Sequence, residues 1–328
     1  MKLKMKRKKL RIIQLFEYFG VMGIALPFYL LPITVALLIG ERIGEMMYRL
    51  MSRRKAIGYK NLNIAFGDKL SCKEKERVLR SAFRNFGKSF VEVIHFPKMS
   101  KSYILKKVSI IGQENYLKAM IKGRGVIVLT AHFGNWEMSS YVQSAVGYPL
   151  NIVVRPLDNS FLDGAVTKLR TMYGNKLFPQ KKGLRQITEA LKNQETVGIL
   201  MDQNTLPSQG IFVDFFGKQA CTIPVIAILA LRYGVPVVPS FIVRTGFDTH
   251  ALYIEPEIEV MRTCDAQKDI RLNTANFNKI IETYIRKYPE QWFWIHNRWK
   301  GQTFPEYRHE HSTLQFVAQR RAAGLPKG

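Results

Sequence analysis

Short apolar runs alternate with amphipathic segments from about residue 108 onward, and this alternation predicts the fold class. Unbroken apolar runs rich in β-branched residues are typical of buried strands, and apolar residues at a period of 3.6 are typical of helices. Because alternating strands and helices form βαβ units, we expect an α/β domain with a mixed, largely parallel central sheet flanked by helices. The predicted strands lie near residues 126–130, 150–154, 196–201, 235–243 and 251–255, and the predicted helices near residues 136–146, 160–173, 183–193, 222–233 and 272–288.

The N-terminal part of the chain has a longer apolar segment. Residues 19–40 are 22 consecutive residues without a charge, and about 20 apolar residues suffice to cross the hydrocarbon core of a bilayer. Seven basic residues and no acid occur within residues 1–11. The segment is predicted to be a membrane anchor, with a secretory signal peptide or a buried helix as alternatives. Pro27 and Pro32 interrupt it, so its geometry in the membrane is left open.

Residues 41–96 are predicted to be helical. Ser71 and Glu74 form a capping-box pattern that opens a helix over residues 72–96. His95 follows an apolar stretch in this helix and is predicted to be packed. The chain thus divides into a basic N-terminus and anchor (1–45), a main domain (46–306) that is helical to about residue 107, and a basic tail predicted to be mobile (307–328).

The composition adds a strong charge. The 328 residues carry a formal net charge of +25, and such a surface favours a polyanionic partner, such as anionic lipid, nucleic acid or an acidic protein. Cys72, Cys221 and Cys264 are few, odd in number and far apart. This spacing predicts a reducing compartment and no structural metal site.

A histidine and a carboxylate follow the predicted strand at residues 126–130. His132 is expected on the loop at the carboxyl end of this strand, and Glu137 in the first turn of the next helix, for which Asn135 is a suitable N-cap. Across such a corner the two side chains can meet. A carboxylate on Nδ1 of an imidazole fixes its tautomer and leaves Nε2 free to take a proton. The alternative is a loop histidine and a glutamate that merely favours the helix dipole.

Two further polar residues end predicted strands, where ligands bind in sheets of this kind. Arg155 follows the strand at residues 150–154, and its guanidinium suits a phosphate or a carboxylate, or else an ion pair with Asp158 or Asp163. Asp202 follows the strand at residues 196–201. It could bind substrate or orient a histidine, and it competes with Glu137 for His132.

Aromatic residues cluster in two later segments. Phe212, Phe215 and Phe216 lie between turn glycines and suit either an acyl chain or packing under a loop. The second segment suits either a membrane interface or headgroup site, or an aromatic plug on the core. Its aromatic and basic members are Trp292, Trp294, His296, Arg298 and Trp299.

Several of these motifs together resemble a known enzyme superfamily. The segment His132-Phe-Gly-Asn-Trp-Glu137 resembles the His-x-x-x-x-Asp/Glu motif of the glycerolipid acyltransferases, and its Asn-Trp-Glu form is similar to the lipid A late acyltransferase branch of lauroyl and myristoyl transferases. Further blocks agree in order, at residues 154–159, 201–203, 210–217 and 292–300.

The resemblance implies a glycerolipid acyltransferase-like fold and an O-acyltransferase that uses no metal and no cofactor. The donor would be an acyl carrier protein thioester or acyl-CoA, and the acceptor a hydroxyl of an anionic glycolipid, a lipid A precursor. His132 would be the general base, with Glu137 orienting it. The residues with an implied substrate-binding role are Asn135, Arg155, Asp202, Gln203, His296 and Arg298.

The resemblance also implies a location at the inner membrane with the active site facing the cytoplasm. The positive-inside rule keeps the denser basic flank, residues 1–11, in the cytoplasm. A spanning anchor would then place the main domain outside, away from a cytoplasmic donor. A re-entrant or in-plane anchor removes this conflict, because both basic flanks would then touch anionic headgroups.

Three other functions are compatible with parts of the sequence. An acyltransferase could act on another lipid acceptor, such as a lysophospholipid or a different glycolipid. A nucleic-acid-binding protein would fit the charge, but the uncharged segment and the lack of a recognisable nucleic-acid-binding signature disfavour it. A non-catalytic membrane tether would retain the fold, and unlike an enzyme it would not respond to a His132→Ala substitution.

Overall fold

The computed structural model describes residues 11–180 and 183–300, so the predicted tail at residues 307–328 and the first ten residues lie outside the described part of the chain. The helices are α1 (Arg11–Leu30), α2 (Ile33–Leu50), α3 (Ser52–Phe66), α4 (Cys72–His95), α5 (Lys101–Lys107), α6 (Gln113–Met120), α7 (Trp136–Ala145), α8 (Ser160–Arg170), α9 (Leu184–Lys192), α10 (Val225–Tyr233) and α11 (Ala266–Lys287). The strands are β1 (Val108–Ile111), β2 (Val126–Thr130), β3 (Leu150–Val154), β4 (Lys176–Pro179), β5 (Thr196–Leu200), β6 (Ile211–Phe215), β7 (Lys218–Thr222), β8 (Val237–Arg244) and β9 (His250–Ile254).

A seven-stranded sheet forms the centre of the domain, with the strand order β1-β9-β8-β2-β5-β3-β4. Its neighbouring strands are parallel except for β8 and β9, so the prediction of a mixed, largely parallel sheet is confirmed. Central β2 has both faces covered: Ile127 and Leu129 face the core that contains α10 and α11, while Val126 and Val128 face α6 and α7. This burial on both sides explains the unbroken apolar run of β2.

All five predicted strands and all five predicted helices are present. The largest difference at an end is in α11, which begins at Ala266 rather than near residue 272. The short elements β1, β4, α5 and α6 and the antiparallel hairpin β6–β7 were not predicted. In that hairpin Phe215 and Phe216 are buried, so these two side chains pack under the hairpin and do not form an exposed apolar surface.

The predicted anchor is divided into two helices. The chain breaks at Leu31 and Pro32, whereas Pro27 lies inside α1. Within the described part of the chain, α1 is the helix that is long and apolar enough to cross a membrane by length and composition. The predicted domain boundary at residue 45 falls inside α2, which is continuous to Leu50 and packs against α4. We therefore assign α2 to the main domain.

Helices α2 and α4 are in direct backbone contact through glycines. A Cβ atom added at Gly87 would lie 2.1 Å from the carbonyl oxygen of Gly40, and one added at Gly44 would lie 2.2 Å from that of Phe83. No side-chain rearrangement can relieve such contacts, because the opposing atoms belong to the backbone. The three glycines therefore set how closely the N-terminal helices approach the domain.

We expect Gly87→Ala to lower the free energy of unfolding by about 1–3 kcal/mol, because the new methyl group forces α2 away from α4. Gly164→Ala is a matched control within α8, since an added Cβ meets no atom within 4 Å there. This control should stabilise the protein by roughly 0.5–1 kcal/mol. Chemical denaturation of both variants in detergent micelles measures the difference, and equal effects would contradict a tight α2–α4 contact.

Candidate active site

The loop that carries His132 is fixed by hydrogen bonds from the C-terminal segment. His132 follows β2, and its carbonyl oxygen accepts a hydrogen bond of 3.1 Å from the backbone N–H of Phe293. The backbone N–H of Gly134 donates to the carbonyl oxygen of Gln291 at 2.8 Å. Gly134 has a φ of +56°, and an added Cβ would lie 2.1 Å from the carbonyl oxygen of Ile242. A glycine is therefore required at this turn.

His132 is paired with a buried aspartate from the neighbouring strand. Its Nδ1 lies 2.8 Å from Oδ1 of Asp202. Asp202 follows β5, which is the parallel neighbour of β2 in the sheet. Since a carboxylate can only accept a hydrogen bond, Nδ1 carries the proton and Nε2 is left as the basic nitrogen. Within the described residues, no group hydrogen-bonds Nε2.

Asp202 is held in its charged form inside the protein. Its side chain is buried, and its second oxygen, Oδ2, accepts a hydrogen bond of 2.8 Å from Nε1 of Trp292. Burial alone would raise the pKa of Asp202, but the charge of His132 and the hydrogen bonds from His132 and Trp292 outweigh burial and hold this pKa below its usual value. The aspartate can therefore stabilise a protonated imidazole.

The predicted contact between Glu137 and Nδ1 of His132 is wrong in this structure. Glu137 lies in the first turn of α7 as predicted, but its two oxygens accept hydrogen bonds of 2.9 and 2.5 Å from Arg170, the last residue of α8. The residue of α7 that faces the imidazole is Trp136, with ring centroids 5.1 Å apart. Nδ1 points towards the carboxyl end of β5, where Asp202 lies, and not towards α7.

Two cavities meet at the Glu137–Arg170 pair. One, of about 170 Å³, lies between α7 and the sheet, and its lining includes His132 and Arg155. The other, of about 220 Å³, is mainly apolar and lies between α4, α7 and α8. Both are bordered by Trp136, Glu137, Ser140 and Arg170. A polar compartment with a base thus adjoins a compartment suited to a hydrocarbon chain.

Two of the predicted substrate-binding residues remain accessible near this site, and a third binds a neighbouring loop. Arg155 is exposed at the end of β3, with Nη2 4.0 Å from Oδ1 of Asp158. Gln203 is half-buried directly after Asp202. His296 is also half-buried, and its Nε2 accepts a hydrogen bond of 3.1 Å from the backbone N–H of Asn204. Burial lowers the pKa of His296 to about 4, so the ring is neutral and can accept this bond.

The other three predicted substrate-binding residues are buried and bind groups of the protein itself, so the structure does not support their predicted contact with substrate. They are Asn135, Asp202 and Arg298. Asp202 instead accepts the hydrogen bond from Nδ1 of His132. Asn135 caps α7 as predicted by accepting from the backbone N–H of Met138, and its Nδ2 donates to Glu92 at 2.8 Å. Arg298 donates to the carbonyl oxygen of Cys221 at 2.8 Å and to Oγ1 of Thr222 at 2.6 Å.

The surroundings of Arg298 show what the tryptophan-rich segment does. Its guanidinium stacks over the ring of Phe215, and burial lowers its pKa to about 10. Trp292, Trp294 and Trp299 are buried with it. The segment is therefore an aromatic plug on the core, which was one of the two predicted alternatives, and it also supplies the indole that binds Asp202.

A buried ion pair behind the loop was missed by the sequence interpretation. Glu92 of α4 and Arg244 of β8 form two hydrogen bonds of 2.7 Å, and both side chains are almost fully buried. Burial would raise the pKa of Glu92, but the charge of Arg244 keeps it below its usual value. Because Glu92 also binds Asn135, the pair ties the start of α7 to the sheet. Neither residue lies in a motif that could have revealed the pair.

A comparison with sequence models of protein families gives a match over most of the chain. The sequence model of the family described as bacterial lipid A biosynthesis acyltransferase matches residues 3–301. The chain belongs to this family. It is therefore an enzyme that transfers acyl groups.

Named relatives cover most of the chain. The enzyme is 30% identical over 285 residues to the lipid A biosynthesis palmitoleoyltransferase of Escherichia coli, with 86% of this chain and 90% of the relative aligned. It is 29% identical over 281 residues to the lauroyltransferase of the same organism, covering 84% and 88%. Among solved structures, the 1-acyl-sn-glycerophosphate acyltransferase of Thermotoga maritima matches with a TM-score of 0.36 and 17% identity, covering 74% of this chain and 98% of that one.

Proposed function

We propose that this acyltransferase moves a fatty acyl chain from an acyl carrier protein thioester to a hydroxyl of a lipid A precursor at the cytoplasmic face of the inner membrane. The observation that carries the proposal is the His132–Asp202 pair beside an apolar cavity. Membership of the family supports the lipid A acceptor, and the net charge of +25 suits both an acidic donor protein and an anionic glycolipid.

The chemistry requires one base and no covalent enzyme intermediate. Nε2 of His132 takes the proton of the acceptor hydroxyl, and the oxygen attacks the thioester carbonyl carbon. Asp202 stabilises the imidazolium that forms. The carbon–sulfur bond then breaks, the thiolate leaves, and the imidazolium returns its proton to the sulfur. The products are an ester on the acceptor and the free thiol of the donor.

Arg170 and Glu137 take a different role in this proposal from the one that the sequence suggested for Glu137. Glu137 fixes the guanidinium of Arg170 at the wall shared by both cavities. Burial would lower the pKa of Arg170, but Glu137 raises it above its usual value, so the positive charge is retained. A fixed charge at this place can stabilise the oxyanion that develops on the thioester oxygen.

The test is acyl transfer by the purified, detergent-solubilised protein. Acyl carrier protein thioesters of several chain lengths are offered with a tetra-acylated lipid A precursor that carries Kdo sugars and, separately, with lysophosphatidate. Transfer to the lipid A precursor supports the proposal. Transfer only to lysophosphatidate would retain the chemistry but assign another lipid acceptor, and transfer to neither would contradict the proposed reaction.

We expect Arg155→Ala to raise KM for the anionic acceptor roughly 10- to 100-fold, because one charge-assisted hydrogen bond to the acceptor is lost. The value of kcat should stay near that of the wild type, since Arg155 does not contact His132. Lys118→Ala removes a charge from α6 and is the matched control, with KM unchanged. Steady-state kinetics at two salt concentrations measures KM for both variants. Equal KM values in Arg155→Ala and Lys118→Ala would contradict this role of Arg155.

A further inference from the structure

Helix α1 is fastened to the main domain near its N-terminus. The backbone carbonyl of Gln14 accepts a hydrogen bond of 2.7 Å from Nδ2 of Asn159, and its side-chain oxygen accepts one of 2.9 Å from Ser160. Nδ2 of Asn159 also lies 3.1 Å from a carboxylate oxygen of Glu17. Because Asn159 caps α8 through its own oxygen, the start of α8 and the first turns of α1 form one polar contact.

The other end of α1 is fastened to α4. Nε2 of His95 donates to the carbonyl oxygen of Phe28 at 2.7 Å, so His95 is packed as predicted. Phe28 is buried in a small cluster with Leu37 and Val91. The ammonium of Lys98 donates to the carbonyl oxygen of Tyr29 and lies 4.1 Å from the centre of its ring.

These two contacts are incompatible with a helix that leaves the domain to cross a bilayer. From Gln14 to Phe28 the helix rises about 21 Å, at 1.5 Å per residue, whereas the hydrocarbon core of a bilayer is about 30 Å thick. A spanning α1 would carry Asn159, His95 and Lys98 into the hydrocarbon. It would also submerge α4 and α8, whose residues line the apolar cavity, and charged groups are strongly disfavoured at that depth.

The outward surface of α1 nevertheless needs an apolar partner. Its middle, from residue 19 to residue 24, is exposed throughout, and the described part of the chain covers it with no other element. Basic residues lie close to it in sequence on both sides, within residues 2–11 and at Arg42 and Arg49. The exposed large apolar side chains of α1 are Ile12, Ile13, Leu15, Phe16, Phe19, Val21, Met22, Ile24, Leu26 and Leu30.

We propose that α1 lies in the plane of the membrane, inserted into one leaflet of an anionic bilayer, with both of its ends on the side of the main domain. The apolar surface enters the acyl region, and the basic flanks bind headgroups of negative charge. Both fastening contacts then stay at the interface, where their polar groups are tolerated. The proposal does not depend on the acceptor or on the catalytic role of any residue.

Native cysteines provide the test. Cys72 and Cys264 are exposed on the main domain, and Cys221 is buried. One variant, Cys72→Ser, keeps Cys264 as the reporter of the domain. A second, Cys72→Ser/Cys264→Ser with Arg11→Cys, reports the start of α1, and Ile12→Cys replaces Arg11→Cys if the latter folds poorly. The double serine variant, which retains only Cys221, is the control for labelling of unfolded protein. Each is treated with a membrane-impermeant maleimide in intact spheroplasts and in inverted membrane vesicles.

We expect Cys264 and the cysteine at residue 11 to react in the same preparation and to be protected in the other. Reaction in opposite preparations would mean that α1 crosses the bilayer, and would overturn the proposal. Joint reaction in inverted vesicles supports both the in-plane helix and a cytoplasmic active site. Joint reaction in spheroplasts would support the in-plane helix but contradict the proposed cytoplasmic orientation. The experiment therefore distinguishes a failure of the in-plane helix from a failure of the proposed orientation.

Discussion

Asp202→Asn is expected to lower kcat for acyl transfer by a factor on the order of 10³ or more, with KM for both substrates nearly unchanged. The amide retains the size of the carboxylate but has no charge to stabilise the imidazolium. It can also donate to Nδ1, which would move the imidazole proton to Nε2 and remove the base. His132→Ala removes the base itself and should give the largest loss of kcat that this mechanism predicts. The loss in Asp202→Asn should approach that value.

Two further variants make the result decisive. Glu282→Gln removes another mostly buried carboxylate, which accepts a hydrogen bond from the backbone N–H of Phe216 and none from His132, and it should leave kcat nearly unchanged. Glu137→Gln tests the role that the sequence motif suggested. If Asp202→Asn behaved like Glu282→Gln while Glu137→Gln lost all transfer, the partner of His132 during reaction would be Glu137, and the proposed role of Asp202 would be refuted.

The second large effect is expected on stability. Glu92→Gln should lower the free energy of unfolding by about 3–5 kcal/mol, because it leaves Arg244 buried without a counter-charge. His250, which lies 3.5 Å from Glu92, cannot replace the lost carboxylate, because an imidazole carries no negative charge; burial lowers its pKa to about 4 and keeps it neutral. Urea unfolding in detergent micelles, followed by circular dichroism, measures the change.

A double variant separates the buried charge from the space it fills. Glu92→Leu/Arg244→Met removes both charges, and we expect it to recover most of the stability that Glu92→Gln loses. Glu257→Gln is the control at the surface, where Glu257 pairs with the half-exposed Lys122, and it should change stability by less than about 1 kcal/mol. A loss in Glu92→Gln no larger than that of Glu257→Gln would show that the buried pair contributes little.

The features that the sequence predicted well are those determined by local pattern. The runs at residues 126–130 and 196–201 could be identified as strands because both of their faces are buried, and the positions of His132 and Asp202 after these strands followed from them. The choice between Glu137 and Asp202 could not be made in this way. It depends on β2 and β5 being neighbours, and that pairing joins segments 70 residues apart.

The burial of particular polar residues was the other feature that could not be predicted from the sequence. Arg298 and Asn135 belong to types that usually lie at surfaces or caps, and the sequence does not show that carbonyl oxygens and Glu92 enclose them. The tryptophan segment likewise fits a membrane interface and a core plug equally well until the hairpin β6–β7 is placed beneath it. The short strands β1 and β4 have four residues each, too few for a periodic signal.

The aromatic plug has a practical consequence for spectroscopy. The chain contains four tryptophans, and the indole of Trp136 faces His132 while that of Trp292 binds Asp202. Trp294 and Trp299 have ring centroids 4.6 and 6.4 Å from that of Trp292. The tryptophan emission of this protein therefore comes from two indoles that contact the His132–Asp202 pair and from two more that pack near Trp292. We therefore expect intrinsic tryptophan fluorescence to change when a ligand binds beside His132, so that binding can be followed without an introduced dye.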